Sequence, residues 1–294
     1  MRRRLPVSWD WRAGRYVSFD AEFDGGRLST VPCADEQRFS TASLDLNMKA
    51  IVRSFFLTVT LLCSPAFAAE ENFSDPNALG RWITYYYSKP EPRRVAEAIR
   101  AASSQGLMKS GQKAPPYIGF IAGVTSKNPS MAQALAEQLT SLPEVDQPVL
   151  ILGIWYSTYP DAKPILERLA KSMPKHKEMI DHLLANGRLG LLELPLEQGP
   201  WVLDALWGNF MATGDEAPVS RIISALPWVN VRGDVSRLLV GGAARWSLIS
   251  NAIQHKPVMA ACRKELASQP KAVTEVLREV IAEAEKDMKK GMPR

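Results

Sequence analysis

The sequence predicts an all-α chain of tandem helical hairpins in an α-solenoid-like array. Three observations carry that expectation. Four times, at 115–143, 147–174, 199–227 and 243–270, a strongly apolar segment runs into a short turn with proline and then into an amphipathic segment with charges. Such pairs suit inner helices that stack and outer helices that face water. Near the C-terminus, Val273, Val276, Leu277, Val280, Ile281, Ala284 and Met288 recur at helical spacing along one face. The third apolar segment, Trp201 to Met211, is too long for a buried strand and carries Asp204 and Asn209. The rival fold is α/β, because the apolar runs at 117–124 and 149–156 could each be a short buried parallel strand.

Taken in order, Asp75-Pro76 starts a first helix, with an N-cap acceptor and a proline whose missing N–H costs nothing there. Pro92 opens a second, with Val95, Ala98, Ile99 and Ala102 on one face, Arg93 and Glu97 paired on the other, and Gly106 as its stop. Breaks are expected at Asn128-Pro129 and Tyr159-Pro160. Gly119 and Gly123, four apart, would let another helix approach closely. A helix at 176–187 ends on Gly187, and 189–196 reads as an extended connector. Thr213-Gly214-Asp215 separates the third pair, and His255-Lys256-Pro257 the fourth. Pro270 opens the last helix, on which Glu285 and Lys289 can pair.

Upstream of these pairs, Met48 to Ala68 has the parts of a secretory signal peptide in order. Lys49 and Arg53 precede the uncharged run Phe55 to Cys63; Ser64-Pro65 follows, then Ala66-Phe67-Ala68 with small residues at the −3 and −1 positions. Cleavage between Ala68 and Ala69 would leave 69–294 as a single helical domain. The run is too short to span a bilayer, so no stable membrane span is expected after cleavage. Residues 1–47 show no period and are expected to be a non-native or disordered extension upstream of a true start at Met48.

Composition excludes more than it assigns. Lys+Arg number 36 against 31 Asp+Glu, too balanced for a nucleic-acid partner, and no dense basic run with interleaved aromatics occurs. Of three cysteines, Cys33 and Cys63 lie upstream of the cleavage point. Cys262 alone remains, in an apolar helical pattern that suits a buried thiol.

Catalytic motifs are scarce. Glu178 and His182 share a helix face, but the second histidine of a zinc-binding HExxH is missing. Ser172 and Lys175 match SxxK, yet Pro174 interrupts the helix that must hold them together. Arg232-Gly233-Asp234 reads best as a helix cap. No metal and no cofactor is expected. Trp155, Trp207 and Trp246 hold similar places in three inner helices. They pack in the core, or they line an aromatic groove with Asn209 and Arg245 as polar partners.

With its leader and irregular helical pairs, the chain resembles exported bacterial helical-repeat proteins, a likeness that implies no known activity. The expected function is binding of a protein or peptide in the periplasm or outside the cell. The alternatives are a periplasmic hydrolase without a motif and a carrier of small ligands.

Overall fold

The structure, a computed structural model, describes residues 72–109, 113–138 and 140–290, and the backbone of five short strands between Arg3 and Ser29. Those strands pair antiparallel, Arg3–Leu5 and Arg27–Ser29 each with Phe19–Asp24, and Trp9–Asp10 with Arg15–Tyr16. The expected signal segment and its Ala68/Ala69 cleavage point lie outside the described residues.

From 72 to 290 every described regular element is helical. The two segments that could have been strands are helices α3 (Pro115–Lys127) and α5 (Gln147–Tyr156), so the α/β alternative is not the fold. Before them come α1 (Pro76–Thr84) and α2 (Val95–Ser104). The first hairpin closes with α4 (Ser130–Gln138) and the second with α6 (Ala162–Ser172). Helix α7 (Lys177–Ala185) follows, then hairpins α8 (Pro200–Thr213) with α9 (Glu216–Ile223) and α10 (Val235–Gln254) with α11 (Lys256–Glu265). Helix α12 (Lys271–Lys290) comes last.

The local signals act as chemistry requires. The Asp75 carboxylate accepts from the Asn77 N–H at 2.9 Å, and Pro76 is the first helical residue. Asp234 caps α10 by accepting from the Arg237 N–H at 3.0 Å. Gly106, Gly187 and Gly214 all have positive φ just past a helix end.

Helix α3 is buried on both flanks, from Pro115 to Thr125 without a gap. Its glycine face meets α8. A Cβ on Gly119 would stand 1.7 Å from the Ala205 carbonyl oxygen, and one on Gly208 1.9 Å from that of Pro116. Gly123 faces Asn209 and Ala212, so the two helices run parallel with their backbones in contact. The opposite face of α3, at Ile118 and Ile121, receives Gly153 of α5. Helix α8 packs in turn on α10, and α10 on α12. The inner helices therefore stand in the order α5, α3, α8, α10, α12, with the second hairpin outside the first.

Some details differ from expectation. The helix start at Pro92 is a 3-10 turn, Pro92–Arg94. This shifts the ion pair to Arg94, 3.1 Å from Glu97. Glu285 pairs with Arg263 of α11 at 2.7 Å and not with Lys289. The expected extended connector holds two 3-10 turns, Leu191–Glu193 and Leu196–Gln198. Helix α10 begins eight residues earlier than the apolar pattern suggested, because Asp234 supplies a cap there.

Candidate functional site

Trp155 and Trp207 are buried core residues and offer no open ring face. Trp246 and Asn209 are half-buried. Arg245 is bound to Glu283 of α12 at 2.7 Å. These five residues lie on three inner helices and two of them are closed off. Trp155 nevertheless leads to a place that the sequence did not flag.

Where α5 ends, Thr158 has φ +57°, a left-handed conformation that a β-branched residue rarely adopts. The chain returns over it at Gly190, where a Cβ would stand 2.7 Å from the Thr158 methyl. The Glu193 carboxylate accepts from the Gly190 N–H at 2.6 Å. Arg188, two residues before Gly190, lies half-buried, 6.0 Å from the Trp155 ring centroid. Its Nε donates to the Trp155 carbonyl at 3.3 Å. A terminal nitrogen of its guanidinium is buried without a hydrogen-bond partner, and burial lowers its pKa from the ordinary arginine value.

The connector that starts here runs to the first turn of α8. Arg221 of α9 donates to the Leu194 carbonyl at 3.2 Å, while its own Nε is buried and unpaired. The Trp201 indole N–H donates to the Gln198 carbonyl at 3.1 Å. Glu197 binds Arg237 of α10 at 3.1 Å, and Arg237 lies 5.3 Å over the Trp228 ring. The connector and the first turns of α8 and α10 thus form one end of the helical body. Leu189 (47 %) and Leu192 (41 %) stand exposed on the connector and Val235 (68 %) on the first turn of α10; Trp201 and Trp228 are half-buried.

A second unusual place is internal. His255, at the turn between α10 and α11, has no exposed surface. Its Nδ1 shares a hydrogen bond with the Tyr87 hydroxyl, and its Nε2 has no partner. The rings of Tyr85, Tyr87 and Phe210 stand 5.1, 5.7 and 5.6 Å from it. Burial pushes its pKa down to about 4, so the ring is neutral at pH 7. Asp204 on α8 is also buried and makes no ion pair with a described residue, and burial pushes its carboxyl up to about 8. No hydrogen bond joins Asp204 to His255, so the two perturbed groups do not form an acid–base pair.

The SxxK residues border an open depression of about 210 Å³ with Glu144 and Gln147. Ser172 bonds to helix carbonyls and Lys175 to Glu144 at 2.6 Å, so neither activates the other. Among the described residues no group of three or more His, Cys, Asp or Glu could hold a metal ion, and no helix is long and apolar enough to cross a membrane. Compared with protein-family models, curated proteins and solved structures, the chain matches none.

Proposed function

We propose that this chain is an exported, non-enzymatic protein whose helical pairs act as a solenoid-like scaffold and hold a protein or peptide segment. The docking surface is the end formed by the 188–199 connector and the first turns of α8 and α10. One observation carries this. Of the five large apolar side chains that stand exposed among the described residues, two, Leu189 and Leu192, lie on the connector and a third, Val235, opens α10, whose Arg237 is bound to Glu197 of the connector at 3.1 Å. Half-buried tryptophans and exposed aliphatic side chains are the usual makings of an interface centre. Export rests on the leader pattern of Met48 to Ala68.

The test is selection of a displayed random-peptide library on the immobilised chain and on the variant Leu189→Ser/Leu192→Ser/Val235→Ser. Sequences enriched on the first and lost on the second support the reading. Equal enrichment on both sinks it. Intact mass of the chain in each cell fraction tests export separately: a periplasmic species beginning at Ala69 supports it, and a cytosolic species retaining residues 1–47 removes it.

A further inference from the structure

His255 is the whole break between two helices: α10 ends at Gln254 and α11 begins at Lys256. Its backbone serves both of them. The N–H donates to the Asn251 carbonyl at 2.8 Å, and the carbonyl accepts from the Val258 N–H at 3.0 Å. Its ring meets a different part of the chain, the 3-10 turn Tyr86–Ser88 after α1. No backbone hydrogen bond among the described residues joins these two turns. Side chains alone hold them together.

The seat of the ring suits a neutral imidazole and rejects a charged one. An imidazolium carries a proton on both nitrogens. The Tyr87 oxygen can accept from Nδ1, but the buried Nε2 has nothing to donate to. No carboxylate offsets the charge, and burial alone lowers the pKa of the seated ring. Around it stand Tyr85 and Tyr87 from the turn and Phe210 from α8. Lys256, next in the chain, points to solvent. Gly214 lies against the Tyr87 ring, and the acid that follows it, Asp215, is held by Lys127 at 2.9 Å. The end of α10 favours a cation and the start of α11 opposes one, so the two helix dipoles offset.

We infer that His255 and Tyr87 form an acid-released latch: in mild acid the imidazole takes up a proton by leaving its seat, and the α10–α11 corner parts from the 85–88 turn while the bodies of the helices persist. The freed ring titrates at its ordinary 6.5 and the seated one near 4. Between pH 7 and pH 5 the parted population therefore rises about 20-fold. The turn itself stays anchored, because Tyr86 packs on Phe120 at 5.1 Å and the Trp82 indole N–H donates to Glu91 at 2.7 Å. Parting uncovers the rings of Tyr87 and Phe210 beside Tyr85, which is exposed already. The released latch thus presents an aromatic surface that the closed one hides. This inference rests neither on the docking end nor on export.

The test is hydrogen exchange of the full chain at pH 7 and pH 5, read by mass spectrometry and corrected for the intrinsic pH dependence of exchange. The expected result is exchange about 20-fold faster at pH 5 in 85–91 and 255–260, with α3 equally protected at both pH values. His255→Gln leaves Tyr87 a polar partner and takes up no proton, so it should abolish the acceleration. Equal exchange at both pH values overturns the latch. So does acceleration that survives in His255→Gln, or that spreads to α3 and so reports global unfolding. If His255→Gln loses its helical circular dichroism, Tyr87→Phe decides instead. It removes the latch bond and should exchange fast at the corner already at pH 7; slow exchange there overturns the inference.

Discussion

The Tyr87 hydroxyl lies 3.1 Å from Nδ1 of His255, joining residues 168 positions apart. The bond ties the segment after α1 to the turn between α10 and α11, across the face of Phe210. Tyr87→Phe leaves the buried imidazole with neither nitrogen paired. The expected loss is about 1–3 kcal/mol in urea unfolding, with the helical spectrum unchanged. A change below about 0.3 kcal/mol would show that the pair carries no stability.

His255 and Asp204 pull the pH dependence in opposite directions. Folded His255 titrates near 4, below its ordinary 6.5. Between those values only the unfolded chain holds the proton, so this contribution falls as pH drops, by about 3 kcal/mol in all. Folded Asp204 titrates near 8, above its ordinary 3.8. There the folded chain keeps the proton, so stability falls as pH rises from about 4 to about 8. Between pH 4 and 6.5 the two slopes offset each other. His255→Gln uncovers a fall in stability through that range, and Asp204→Asn uncovers a rise. Urea midpoints across pH 4 to 8 for the three proteins check both signs.

The contact of α3 with α8 admits no side chain at its closest points. Gly119→Ala or Gly208→Ala must push two backbones apart and costs at least about 3 kcal/mol. Gly80 and Gly242 lie inside helices with nothing within 4 Å of an added Cβ. Alanine at either should gain about 0.5–1 kcal/mol. Thermal melts of the four variants separate the two classes; a gain at Gly119 would refute the close contact.

Cys262 is buried and its thiol is pushed up to about 12, chiefly by burial. It should stay unreacted with an aromatic disulfide reagent in the native protein at pH 8 and react at once in denaturant. Rapid native labelling would place it at the surface.

What the sequence made legible was whatever a few neighbouring residues decide. Asp75-Pro76, the break at Asn128-Pro129 and the cap at Asp234 needed only local hydrogen bonding. Gly119 and Gly123 announced a close helix contact, yet nothing local named α8 as the helix that would fill it. The ion pairs were mispartnered because a 3-10 turn at Pro92–Arg94 rotates the side chains that follow, and because Glu285 had a better partner on α11. Arg188 and Arg221 were invisible for a different reason. What marks them is a buried guanidinium nitrogen without a hydrogen-bond partner, and spacing along a chain does not reveal that. His255 stood in view as a turn residue, but its burial depends on tyrosines 168 and 170 positions away.

The order of the inner helices has a consequence for how the chain is made. Gly119 meets Ala205, 86 residues further on. A ribosome adding roughly 5–20 residues per second needs about 4–17 s to supply that partner. Through that interval the glycine face of α3 has nothing to close against, and α5, which emerges sooner, covers only the other side. The newborn chain is thus obliged to stay open until well over half of it exists. That delay is a hazard for a protein that must fold beside its ribosome, and an asset for one that must be threaded through a membrane before it folds.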